Sequence, residues 1–100
     1  MKLDLRETMI TDEGCRIIAE FTNLVELNLR GCQIGDESAL LFSELSKLQT
    51  LNLGSTKVSK EAVAPLLKLP ALMQLNLWQT QAGAETINSR SVPSGLTLVK

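Results

Sequence analysis

One phrase governs what this chain can fold into. Leu-x-x-Leu-x-Leu-x-x-Thr/Cys opens at Leu24, Leu48 and Leu72, so the copies follow one another at a constant interval with no insertion between them. The register reaches back to the N-terminus, where Leu3, Leu5, Thr8 and Ile10 fall in the columns of Leu27, Leu29, Cys32 and Ile34. A unit of this length cannot bury its own apolar face, so neighbouring units must stack and share one continuous core. The residues that fix the fold therefore point inward, and function is left to those that point outward.

The repeat divides the chain into a single domain over residues 1–100, with coils at about 1–23, 24–47, 48–71 and 72–95 and an edge strand over 96–100. With 100 residues and 44% hydrophobic content, about four coils approach the smallest stack that is stable. Ten basic and eleven acidic residues give a net charge of −1, too little to gather phosphate backbone or anionic lipid, so neither nucleic acid nor membrane is an expected partner. The opening Met1-Lys2-Leu3-Asp4-Leu5-Arg6-Glu7 breaks any apolar run too early for a secretory signal, and no later stretch approaches a membrane span. Cys15 and Cys32 occupy different columns, one helical and one in a turn, so a disulfide is not expected. These features predict a soluble, cytoplasmic protein.

Within each coil the Leu-x-Leu alternation predicts a short parallel strand, around Leu3–Leu5, Leu27–Leu29, Leu51–Leu53 and Leu75–Leu77. A turn follows, and then an acid-rich start (Asp12, Glu13; Asp36, Glu37; Glu61) suited to the positive end of a helix. The inward helical columns are Cys15, Ala39, Val63; Ile18, Phe42, Leu66; and Phe21, Leu45, Leu69. Burying each larger member contributes roughly 1.5–3 kcal/mol. The column Thr8, Cys32, Thr56, Thr80 sits where the chain bends away from the strand, and a hydroxyl or thiol on the neighbouring coil can there replace lost ladder partners.

This Thr/Cys column, the strand phrase and the segment Ile10-Thr11-Asp12-Glu13-Gly14 together resemble leucine-rich repeat proteins, in the variant reading Leu-x-x-Leu-x-Leu-x-x-Thr-x-Ile-Thr-Asp-x-Gly-Leu. The resemblance runs from Met1 to about Ile87. It implies an α/β solenoid with parallel strands on the concave face and helices on the convex face. It also implies a non-catalytic scaffold that binds a protein or peptide, with the partner set by exposed residues.

Both ends depart from the pattern. Met1 falls one residue after the place where the first coil should open with Leu, and its strand carries Lys2, Asp4, Arg6 and Glu7, charges that discourage pairing at an open edge. Asn88, Arg90, Ser91 and Pro93 replace the columns of Ala64, Leu66, Leu67 and Leu69, so a fourth helix of the same type should fail and the polar loop can serve as a cap. The register then predicts an edge strand, because Leu96 lies one full period after Leu72 and Val99 takes the column of Leu75. Two other expectations compete: that Met1–Leu5 or Leu96–Lys100 pairs with a second copy to make a homodimer, and that the chain belongs to a longer array.

On the strand face the outward columns are Lys2, Glu26, Thr50, Gln74; Asp4, Asn28, Asn52, Asn76; and Arg6, Arg30, Gly54, Trp78. Trp78 is the only Trp, and a half-exposed Trp is the commonest binding anchor; the competing reading folds it over the C-terminal loop to close the solenoid. The row Asn28, Asn52, Asn76 repeats at about 4.8 Å and could engage a peptide backbone, or could form a ladder satisfied within itself. The candidate partner-binding residues are therefore Trp78, Asn76, Gln74, Asn52, Asn28, Arg30, Glu26 and Arg6. On the helical side Ile17, Leu40, Leu41 and Leu67 exceed what the inward stripe needs, and packing between helices is the favoured reading. With no His and no Tyr, and both Cys assigned structural columns, no catalytic site, metal or cofactor is expected. Gly54-Ser55-Thr56-Lys57 lacks the spacing of a phosphate loop.

Overall fold

The computed structural model describes residues 1–84 and 89–100. Five strands, β1 (Lys2–Asp4), β2 (Glu26–Asn28), β3 (Thr50–Asn52), β4 (Gln74–Asn76) and β5 (Thr97–Val99), form one parallel sheet in chain order. Between them run the helices α1 (Asp12–Ile18), α2 (Asp36–Phe42), α3 (Val63–Leu67) and α4 (Gln81–Ala84). A 3-10 turn at Lys60–Ala62 leads into α3, and another spans Ser89–Ser91. The result is the expected α/β solenoid, and each ladder pairs a column with itself: Leu3 with Leu27, Leu27 with Leu51, Leu51 with Leu75.

The apolar columns converge between sheet and helices. Leu27, Leu51 and Leu75 meet Cys15, Ala39, Phe42 and Leu66, all at most 1% exposed. Phe21 departs from its column: it is 39% exposed, whereas Leu45 and Leu69 are buried. The cause is position in the stack, since Leu45 and Leu69 have coils on both sides and Phe21 has one on one side only.

The last strand departs from the repeat by a single position. Leu98, not Val99, pairs with Leu75, and Val99 pairs with Asn76, so the period shortens by one at this step. Because side chains alternate, such a slip exchanges the faces. The observed register aims Leu98 inward, where with Leu96 and Val92 it packs against the core. Among the described residues the fourth helix, α4, spans Gln81–Ala84. Arg90 and Ser91 lie in the 3-10 turn, Pro93 is exposed, and Asn88 lies outside the described residues.

Two features of the backbone link the coils. The carboxylate of Asp12 in coil 1 accepts hydrogen bonds from the Gly35 amide at 3.1 Å, the Ser38 amide at 3.3 Å and the Ser38 hydroxyl, capping α2 from the neighbouring coil. Asp36 repeats this one coil later, accepting from the Ser59 amide at 2.7 Å and from the Ser59 hydroxyl. These acids thus do more than oppose a helix dipole; each ties one coil to the next. The column then changes to Lys60, and coil 4 draws its cap from within, with Gly83 N–H donating to Thr80 Oγ1 at 3.0 Å. The second feature is a left-handed residue after each of the first four strands: Glu7 (φ 59°), Gly31 (φ 76°), Ser55 (φ 53°) and Gln79 (φ 54°). Only one of these four is the glycine that such a conformation favours.

Candidate interaction surface

Alternation along the strands sets Lys2, Glu26, Thr50 and Gln74 beside Asp4, Asn28, Asn52 and Asn76 on the open face of the sheet. All of these except Asn76 line a concavity of roughly 350 Å³, so its lining includes Glu26, Asn28, Asn52 and Gln74. Arg6, Arg30, Asn76 and Trp78 are not part of that lining. At the coil 1 end the charges are paired, Lys2 with Glu26 at 3.6 Å and Arg6 with Asp4 at 3.2 Å. Arg6 and Glu26, both candidates from sequence, thus spend their charge on neighbours, although each pair is exposed enough to exchange at small cost.

The Asn row forms neither a ladder satisfied within itself nor a fully open edge. Each Oδ1 accepts from the backbone N–H two positions on: Asn28 from Arg30 at 3.1 Å, Asn52 from Gly54 at 2.9 Å, Asn76 from Trp78 at 2.9 Å. Asp4 does the same for Arg6 at 3.2 Å, which explains how one column tolerates both Asp and Asn: only the acceptor is needed. The side-chain NH2 groups of the three Asn have no partner among the described residues. The face therefore offers a row of donors whose orientation is fixed by the local turn.

Trp78 stands at the far end of this row and is 43% exposed. The Arg30 Cζ lies 5.1 Å from its ring centroid, two coils away, with coil 3 between them. Gly54 makes the span possible. A Cβ there would meet Asn52 Oδ1 at 3.1 Å, the Trp78 carbonyl at 3.3 Å and Arg30 Cγ at 3.6 Å, and the glycine is buried although its column faces outward. Arg30 thus crosses over the glycine and lies against the indole, an arrangement worth about 0.5–1 kcal/mol at an exposed site. Its guanidinium has no hydrogen-bond or ion-pair partner among the described residues. Sequence reading named Arg30 and Trp78 separately. The signal that could have joined them was the single glycine between two large residues in one column.

The turn column behaves differently from expectation. Thr8, Thr56 and Thr80 donate to carbonyls of their own coils, those of Leu5 at 2.7 Å, Leu53 at 2.6 Å and Leu77 at 2.6 Å. A hydroxyl on a short side chain folds back on the carbonyl released at the bend. Within this column coils 1 and 2 alone are joined, the Cys32 thiol donating to the Leu5 carbonyl at 3.0 Å and lying 3.6 Å from the Thr8 hydroxyl. Both thiols are free and buried, and burial pushes the Cys15 thiol above its ordinary pKa, away from nucleophilic character. On the helical side Leu67 is buried and Leu41 half-buried, as helix packing requires, whereas Ile17 (62%) and Leu40 (48%) stay exposed.

A leucine-rich repeat family model matches residues 22–43, which cover β2 and all of α2. No curated protein matches the chain. The strand, turn and helix of that matched stretch recur in register through the neighbouring coils, so the chain has the fold of a leucine-rich repeat solenoid built around the matched repeat.

Proposed function

We propose that this chain is a non-catalytic interaction module that holds an extended segment of a partner protein across its strand face, anchored where Arg30 lies on Trp78. The observation that carries this reading is the Arg30–Gly54–Trp78 arrangement: a half-exposed indole with one face covered by a guanidinium whose donors are unspent. Beside it stand the amide donors of Asn28, Asn52 and Asn76 at strand spacing. A surface rich in donors fits a segment that presents acceptors, its main-chain carbonyls along the Asn row and a carboxylate at Arg30. The leucine-rich repeat fold, with partners commonly held by exposed residues, supports the same class. A net charge of −1 gives nucleic acid and membranes no part in it, and the proposed setting is cytoplasmic.

The test is to select peptides from a displayed random library on the chain and to follow their binding by the fluorescence anisotropy of a dye on the peptide, a readout that does not depend on the single Trp. Selected peptides should carry Asp, Glu or a free C-terminus, and Trp78→Ala and Arg30→Ala should each weaken them at least tenfold with little change in thermal midpoint. Binders indifferent to both substitutions would place recognition elsewhere. A large loss of stability in Trp78→Ala would make Trp78 a structural closure.

A further inference from the structure

Coil 1 carries the same columns as coils 2 and 3 but has a neighbour on one side only. Leu3, Leu5 and Ile10 are half-buried where Leu27, Leu29 and Ile34 are at most 1% exposed, and Phe21 is 39% exposed. The uncovered strip is apolar, and the open edge of β1 runs along it. Leu5 N–H donates to the Asn28 carbonyl at 2.9 Å, and alternation turns the main-chain groups of Leu3 the same way, so those of Lys2 and Asp4 lie on the free edge.

A second copy of that edge, brought up antiparallel by a twofold axis, has few registers open to it. Centred on Lys2 it sets Lys2 against Lys2, and centred on Asp4 it sets Asp4 against Asp4, both repulsive directly across strands. A centre between residues opposes the free groups of Lys2 to Leu3, whose own groups face β2. Centred on Leu3, it places Lys2 of each copy opposite Asp4 of the other, with reciprocal N–H···O=C bonds at both pairs and Leu3 against Leu3 on the core side. The exposed pairs that Lys2 and Asp4 now make with Glu26 and Arg6 are weak enough to exchange. Head-to-tail stacking has no such complementarity. Coils 2 and 3 receive the carboxylates of Asp12 and Asp36, but the same column in coil 4 holds Ala84, and the contact would not close on itself.

We infer that two copies of this chain form a twofold dimer through coil 1, their β1 strands paired antiparallel about Leu3 and the apolar strips of Leu5, Ile10 and Phe21 brought together. The sheets then join into one, with both helical layers on the same side.

The test is solution mass by light scattering over a dilution series, with two charge variants. The unmodified chain should show the mass of two copies at high concentration and of one on dilution. Lys2→Glu sets a carboxylate against Asp4 of the other copy, and Asp4→Lys sets an ammonium against its Lys2, so each variant alone should be monomeric at every concentration. Mixed in equal amounts, the two restore opposite charges at both pairs and should recover the dimer mass. Lys2→Glu touches only an exposed ion pair, and a cooperative thermal transition with an unchanged far-ultraviolet circular dichroism spectrum will show that it folds. A monomeric unmodified chain would overturn the inference, as would single variants that remain dimeric. Folded variants whose mixture stays monomeric would overturn the Leu3-centred register.

Discussion

Removing the carboxylate of Asp12 should destabilise the protein through a helix in a different coil. Asp12→Ala deprives the Gly35 and Ser38 amides of their acceptor, a loss comparable to deleting an N-cap, about 1 kcal/mol. It also leaves the fully buried Ser38 hydroxyl with no partner but the weakly accepting sulfur of Cys15, at a further cost of about 1–3 kcal/mol. Together about 2–4 kcal/mol should be lost, a large share of the roughly 5–15 kcal/mol that holds a domain of this size. At about 4–8 °C per kcal/mol the thermal midpoint should fall by roughly 10–30 °C. Asp12→Asn keeps an acceptor and should lose about half as much. Ser38→Ala added to Asp12→Ala should return part of the loss, because it removes the stranded hydroxyl. Chemical and thermal denaturation followed by far-ultraviolet circular dichroism measure all of these. If Asp12→Ala cost no more than an ordinary surface change, about 0.5 kcal/mol, the coil-to-coil cap would carry no weight and the argument would fail.

The same carboxylate gives the stability a pH dependence of known sign. Burial opposes its ionisation, but the bonds from Ser38 and Gly35 and the charge of Lys57 outweigh that and hold the pKa below the usual aspartate range. A group depressed in the folded state contributes fully above its unfolded value, near 3.9, and the contribution fades as pH falls through the folded value. The advantage of the unmodified chain over Asp12→Ala should therefore be constant from pH 7 to about pH 5 and shrink below pH 4. An advantage that grew on acidification would refute the assignment.

Three further outcomes can be measured by the same denaturation. Cys32→Thr should stay within about 1 kcal/mol, since a hydroxyl there can bond the Leu29 carbonyl as its counterparts do, whereas Cys32→Leu should lose about 1–3 kcal/mol by overfilling the bend; equal stabilities would remove the special role of this column. Ser55→Gly should stabilise by about 0.5–1 kcal/mol by relieving a left-handed residue, while Gly31→Ala should destabilise by about 1–2 kcal/mol, because its φ is 76° and a Cβ would lie 2.7 Å from the Glu7 carboxylate. Leu98→Asp should cost clearly more than Val99→Asp, and the reverse order would restore the unbroken register at β5.

Periodicity made most of the fold legible, because a Leu that recurs at a fixed interval has one packing solution in a stack. It erred where the stack stops being periodic. Phe21 lies in a correct column, yet exposure depends on whether a neighbour exists, which a column does not encode. The slip at β5 came from a connection one position short, where burial of Leu98 outweighed the arithmetic. Left-handed backbone at Glu7, Ser55 and Gln79 had no sequence signal, since stacking imposes the turn on residues that would not choose it. The Asp12 and Asp36 caps were hidden for another reason. Acid at a helix start reads as local electrostatics, and only the stacked geometry shows that its acceptor serves the next helix.

The candidate surface was legible as a set of columns but not as an arrangement, and the difference bears on function. A column on the strand face is both the end of a turn and part of the exterior, so its residues are asked to close the backbone before they meet a partner. Asn satisfies both demands because its two ends separate: the carbonyl oxygen holds the turn and the amide nitrogen stays free. Asp in the same column holds the turn and leaves charge instead, which at Asp4 is met by Arg6. Replacing Asn52 by Asp should therefore leave stability almost unchanged while turning one donor in the middle of the row into an acceptor. If the row binds main-chain carbonyls, peptides selected on the unmodified chain should lose affinity for Asn52→Asp and regain it for Asn52→Gln only weakly, since the longer side chain cannot hold both the turn and the ligand. Equal affinity for all three would confine recognition to Arg30 and Trp78.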